Sequence, residues 1–133
     1  MTPETMKALT LYQPWASLIH DRRKPIETRS WYTKYRGRLA IHAGRTVDKD
    51  ACIHFGYDPS TIERGVILCI VDLVDCIQFT ASFRAPDEYG DYSVGRYGFI
   101  LENVRPLPEP ISVKGGMGLW NWVTEKQATS ARL

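Results

Sequence analysis

Six consecutive apolar residues, Val66-Ile67-Leu68-Cys69-Ile70-Val71, constrain this chain more than any other stretch. Successive side chains of a strand point to opposite faces, so a run apolar at every position must be covered on both. A chain of 133 residues supplies that cover, since it buries roughly two-thirds of its unfolded surface without needing a disulfide or metal staple. Hydrophobic residues make up 44% and charged residues 24%, which is globular composition and argues against disorder. The length reads as one domain, residues 1–133, with a core over about 7–123 and loose tails at 1–6 and 124–133.

Around that run the chain reads as short strands with two early helices. Lys7 to Leu11 alternates as a strand. Pro14 suits the first position of a helix whose apolar stripe is Trp15, Leu18, Ile19 and Arg22. Ile26 to Arg29 and Arg38 to Ala43 read as strands, and Gly44-Arg45-Thr46 as a turn with Thr46 capping a helix over Val47 to Phe55. The long strand spans Gly65 to Phe79, a polar loop Thr80 to Val94, and further strands Tyr97 to Leu101 and Leu119 to Val123. Pro106, Pro108 and Pro110 exclude a central strand and suggest an extended edge. The pattern implies an α+β fold, a small, mostly antiparallel β-barrel flanked by short helices, with a cleft beside the barrel.

Chemistry concentrates in Lys24-Pro25-Ile26-Glu27-Thr28-Arg29-Ser30-Trp31. Alternation along the strand places Glu27, Arg29 and Trp31 on one face, about 6.6–7 Å apart at each step. Lys24 precedes the strand and is placed to curl over that face. In the next strand, Leu39 and Ile41 point to the core and His42 away from it, onto the side of Glu27 and Arg29. The plainer reading is an exposed ion pair with a structural histidine; the sharper one is the wall of a polar cleft. A glycine turn entering a helix, as at Gly44-Arg45-Thr46, can hold an anion. Asp48 and Asp50 already satisfy that helix dipole. Lys114-Gly115-Gly116-Met117-Gly118 is glycine-rich, but no helix follows it, so it makes a weak phosphate loop.

The net charge of +2 does not by itself indicate nucleic acid. Its distribution is uneven: residues 22–45 hold eight Arg and Lys, among them Arg36 and Arg45, against Glu27 alone. Cys52, Cys69 and Cys76 form no metal-binding spacing, and no metal or cofactor is expected. Nucleotide P-loop, dinucleotide, HExxH and GxSxG patterns are absent. No apolar run is long enough to span a membrane and the first residues carry no secretory signal, so the chain reads as soluble, reduced and cytoplasmic, with a monomer expected.

Three segments in order, Leu9 to Ile19, Lys24 to Trp31 and Arg36 to Ala43, resemble the ASCH domain, the activating-signal-cointegrator homology family, which has a PUA-like fold. Leu101 to Leu107 and Gly118-Leu119-Trp120 extend the resemblance over nearly the whole chain. The family pattern Gly-x-Lys-x-x-Glu-x-Arg is met by Lys24, Glu27 and Arg29, with Arg22 where the glycine stands. That departure bears on the tight turn after the first helix and places another cation at the cleft rim. The resemblance implies a cleft that binds RNA, single-stranded nucleic acid or a nucleotide. On this reading Gln13, Pro14, Trp15, Lys24, Glu27, Arg29, Trp31, Arg36, His42 and Arg45 serve the ligand, with cations on phosphate and Trp15, Trp31 or Tyr32 stacking a base. A related bacterial branch hydrolyses N4-acetylcytidine with a lysine at the position of Lys24, a threonine at that of Glu27 and a later glutamate. The alternative is therefore a small hydrolase, an amidohydrolase or ribonuclease, with Lys24 and Glu27 catalytic. Which later glutamate would join them, Glu63 or Glu88 among others, the sequence leaves open.

Overall fold

The computed structural model describes residues 4–124. Its elements run β1 (Glu4–Gln13), α1 (Trp15–His20), β2 (Ile26–Arg29), β3 (Gly37–Val47), α2 (Lys49–Phe55), β4 (Val66–Gln78), β5 (Tyr97–Ser112) and β6 (Leu119–Thr124). They form one six-stranded sheet in the order β2-β5-β4-β3-β1-β6. β1 and β3 run parallel, joined through α1 and β2; every other pair is antiparallel.

The apolar run occupies the middle of the sheet and is covered on both faces. Val66, Leu68, Cys69 and Val71 join the main core with Leu9, Leu39, Ile41, Phe99 and the α1 residues Ala16 and Ile19. Ile67 and Ile70 face a second core with Met6, Ala8, Ala40 and Trp122. Leu68 and Cys69 reach the same core despite being adjacent because the β4–β5 register shifts between Ile67 and Cys69. Burial pushes the Cys69 thiol up to about 12, as befits a core residue. Two further shifts in the same pair curl the sheet. The curl brings β2 toward β1, where Arg29 Nη2 donates to the Thr10 carbonyl at 3.1 Å. Among the described residues no backbone ladder joins the two ends of the sheet, so the barrel is open on this side.

Several boundaries differ from the sequence reading. β1 begins at Glu4 and β6 runs to Thr124, because Glu4 pairs with Thr124 and the buried Thr124 hydroxyl donates to the Glu4 carbonyl. The rest of the expected tails lies outside the described residues. β3 continues through Gly44, Arg45 and Thr46, so the α2 cap is Asp48, whose Oδ1 accepts from the Ala51 amide at 3.0 Å. β5 runs on through Pro106, Pro108 and Pro110 as one long strand. β2 covers only Tyr97 to Ile100 of it, so the prolines fall where one side of β5 has no strand to bond.

α1 ends earlier than its stripe suggested, leaving Arg22 outside the helix. The Arg23 amide bonds Leu18 O at 2.9 Å and the Arg22 amide bonds Ile19 O at 3.0 Å, the crossed pair of a Schellman turn. That turn needs a left-handed residue, and Arg22 takes φ 62°. The turn expected of a glycine therefore forms with arginine, whose Nη2 donates to the Val104 carbonyl at 2.9 Å. Left-handed backbone costs a residue with a Cβ about 1–2 kcal/mol, most for β-branched types. Arg22→Gly relieves that strain while losing an exposed hydrogen bond, so its unfolding free energy should stay within about 1 kcal/mol of the parent. Arg22→Val should be at least about 1 kcal/mol less stable than Arg22→Gly. Urea unfolding of both variants checks the ordering; equal midpoints would contradict it.

Candidate functional site

β2 follows the Schellman turn after one proline, and this places Lys24 and Glu27 inward together. Lys24 is only 2% exposed and Glu27 8%. The Lys24 Nζ donates to the Ile26 carbonyl and to the Tyr89 carbonyl, both at 2.7 Å, and lies 3.3 Å from Glu27 Oε1. The two carbonyls take two N–H bonds of an ammonium, and the Glu27 carboxylate beside it is its ion-pair partner. Burial pushes the Lys24 group below its ordinary value, while Glu27 and Asp87 pull the other way and Arg29 adds to the lowering. The second Glu27 oxygen accepts from Arg29 Nε at 2.8 Å. One carboxylate thus sits between two cations. Arg29 Nη2 reaches the Thr10 carbonyl, and Nη1 has no hydrogen-bond partner among the described residues.

These groups form one wall of a cavity of about 580 Å³, open to solvent. Thr10, Leu11, Tyr12 and Trp15 line it from β1 and α1, and Glu88, Tyr89, Gly90, Asp91 and Arg96 from the loop after β4. That loop docks by specific bonds. The Asp91 amide donates to Thr28 Oγ1 at 3.1 Å, and Arg96 Nε lies 3.4 Å from an Asp91 carboxylate oxygen. At Gly90 an added Cβ would meet Thr28 Cγ2 at 2.7 Å, so only glycine lets the loop come this close. Asp87 Oδ1 accepts from the Tyr89 amide and the Tyr92 hydroxyl, which shapes the turn. The Arg23 guanidinium lies 5.6 Å from the Tyr57 ring and 5.8 Å from the Tyr89 ring and donates to Phe55 O, tying the loop to α2. The cavity is therefore mixed in charge, with aromatic rings among its lining.

Of the residues singled out in the sequence, Trp15, Lys24, Glu27 and Arg29 meet here. The others lie elsewhere. Gln13 is fully buried and spent on structure: its Oε1 accepts from the Ser17 amide, and its Nε2 donates to Ser17 Oγ and the Glu63 carbonyl. Pro14 is buried between β1 and α1. The face shared by Glu27 and Arg29 does not extend to Trp31, because the strand ends at Arg29 and the indole packs edge-on against Phe99 at 5.1 Å. Arg36 bonds the Thr33 and Tyr35 carbonyls and lies 3.5 Å from Asp75, next to Tyr32. His42 does not face Glu27. Its Nε2 donates to the Val113 carbonyl at 2.7 Å, which leaves Nδ1 to accept from Thr10 Oγ1 at 3.0 Å. Burial, with help from Arg45, lowers its pKa and favours this neutral form. Arg45 lies with His42, on the far side of Thr10 from the cleft.

The sequence reading missed Thr10, Tyr12, Thr28, Tyr89, Gly90, Asp91 and Arg96. Tyr12 stands inside the Leu-Tyr-Gln-Pro-Trp segment, where its period-2 place already put it opposite the core. The acidic-aromatic stretch Asp87-Glu88-Tyr89-Gly90-Asp91 was legible as a loop but carried nothing to say where it docks. Glu88 lines the cavity and pairs with His54 at 2.8 Å, whereas Glu63 contributes only its carbonyl to Gln13.

A family profile described as the ASCH domain matches residues 9–109. Activating signal cointegrator 1 of Mus musculus is 33% identical over 127 residues, covering 84% of this chain and 21% of that protein. The Homo sapiens protein of the same name is 34% identical with the same coverage. The chain thus spans about a fifth of the length of these relatives. Among solved structures, ASCH from Zymomonas mobilis superposes with a TM-score of 0.57 at 17% identity, covering 93% of this chain and 90% of that one. A tyrosine-to-phenylalanine mutant of the same Zymomonas mobilis protein gives 0.57 at 16% identity, covering 94% of each chain. These likenesses show the fold.

Removing one charge from a buried pair typically costs about 3–5 kcal/mol, because the partner stays buried and uncompensated. Glu27→Gln leaves two cations facing each other and should lower unfolding stability by about that amount. A double-mutant cycle with Lys24→Met should return a coupling energy of about 1–3 kcal/mol. A cycle closing to zero in urea unfolding would mean that Glu27 does not hold Lys24.

Proposed function

Because the chain belongs to the ASCH-domain family, a family associated with RNA binding, we propose that its cleft binds an unpaired base of RNA. The observation that carries this reading is the pairing of aromatic rings with polar groups of both charges in one cavity of nucleotide size. Tyr12, Trp15 and Tyr89 offer ring faces and edges, and Arg29 Nη1, Arg96, Glu88 and Asp91 offer donors and acceptors around them. RNA is read in sequence mainly where bases are splayed out and stacked on such rings, with hydrogen bonds to their edges. The cleft's carboxylates offset its cations, so it suits a base better than a chain of phosphates.

Binding is favoured over hydrolysis by the state of Lys24. A lysine nucleophile or base needs a free lone pair, and here Nζ donates to Ile26 O and Tyr89 O and lies 3.3 Å from the Glu27 carboxylate, which favours the ammonium. Glu27 is held between two cations and is poorly placed as a general base for water. Both residues then act to fix Arg29 and the loop rather than to react.

The test is titration of single-stranded and duplex oligoribonucleotides by fluorescence anisotropy. Single strands should bind more tightly, and Trp15→Ala should weaken them by about 1–3 kcal/mol, the value of one base stack. N4-acetylcytidine and other acylated nucleosides should be left intact in the same preparations. Release of acetate that disappears in Lys24→Ala would replace this reading with the amidohydrolase one.

A further inference from the structure

Two sequence features that the cleft leaves unused meet on the opposite side of β1. Arg45 of β3 and the Lys114-Gly115 loop line a second cavity of about 540 Å³ with His42, Gly65, Ser112 and Val113. No acidic residue lines it, in contrast to the cleft. Arg45 and Lys114 are exposed, and neither has a carboxylate partner among the described residues.

The cavity is built rather than incidental. Gly65 takes φ +67°, donates its amide to Ala43 O at 2.7 Å and accepts from the Val113 amide at 3.1 Å. An added Cβ there would lie 3.2 Å from the Arg45 guanidinium, which packs over this glycine. At Gly115 an added Cβ would come within 2.8 Å of His42 Cε1. The loop can therefore close on the imidazole, which Val113 O and Thr10 Oγ1 hold in place. Thr10 connects the two cavities: its carbonyl accepts from Arg29 at the cleft, and its hydroxyl touches His42 here.

We infer that this second cavity is a phosphate subsite, in which Arg45 and Lys114 hold a phosphodiester flanking the base bound in the cleft. The inference rests on the reading above for the source of the phosphate, and on the charge and glycine geometry for the site itself.

The experiment compares the parent with Arg45→Ala/Lys114→Ala. Both side chains are exposed, so the double variant should fold. A mixed-sequence single-stranded octaribonucleotide should bind the variant at least tenfold more weakly. The slope of log K against log salt should become shallower by about 0.7 for each phosphate no longer neutralised. Affinity for the free nucleosides should not change. Inorganic pyrophosphate should shift the His42 Cε1–H resonance of the parent and not of the variant. Equal octamer affinity and slope in the two proteins, with a silent His42, would overturn the subsite and leave the cleft reading standing. A His42 shift with pyrophosphate in a parent that binds neither octamer nor nucleosides would support an anion site but overturn its nucleic-acid source, and with it the cleft reading.

Discussion

The Glu27 carboxylate, buried between the Lys24 ammonium and the Arg29 guanidinium, is the interaction on which the rest of the site depends. Taking three charges out of water is costly, and it is tolerated only where each keeps its hydrogen bonds. Lys24 bonds two carbonyls and pairs with Glu27, Glu27 has a cation at each oxygen, and Arg29 adds a bond to the Thr10 carbonyl. Each bond reaches a different part of the chain. Lys24 fastens the loop after β4 through Tyr89, and Arg29 spans from β2 to β1. A side chain therefore crosses the gap where a closed barrel would have a backbone ladder.

That substitution of a side-chain bridge for a strand pair is what leaves room for a ligand. The curl of the sheet, produced by the β4–β5 register shifts, brings β2 near β1 without pairing them. The loop from Thr80 to Arg96 then lines the gap, coming close to Thr28 at Gly90. The two sides of β1 end up with different chemistry. Toward the cleft there are rings and balanced charges; toward His42 there are two cations and glycine-lined space. A single strand of nucleic acid has the same division, an aromatic base on one side and an anionic backbone on the other.

Local patterns were legible in the sequence, and long-range docking was not. The doubly buried run at Val66 to Val71 and the strand at Ile26 to Arg29 follow from alternation and from proline placement, whereas the burial of Glu27 with Lys24 does not. The inclusion of Trp31 and His42 in the cleft failed for two separate reasons. β2 stops at Arg29, so the period-2 rule does not carry two residues further. β3 does turn His42 away from Leu39 and Ile41, but that face of the curled sheet carries a second core rather than the cleft. A sheet buried on both faces gives no sequence signal for which face holds a site. The helix boundaries erred because Gly44 looked like a turn, whereas β3 continues through it and its missing side chain serves Thr10 instead, whose Cγ2 would lie 2.9 Å from an added Cβ. Arg22 shows the converse: the turn is dictated by its bonding pattern, and arginine adopts the glycine conformation to complete it.

The most direct measurement is a heteronuclear NMR titration with a single-stranded oligoribonucleotide, read at the four tryptophan indole N–H signals and at Arg29 Nε–H. The account predicts that Trp15 and Arg29 shift with a common binding curve, while Trp31 and Trp122, packed in the cores, stay in place. Saturable binding that leaves Trp15 and Arg29 unmoved would contradict it and locate recognition away from the Lys24–Glu27–Arg29 cleft.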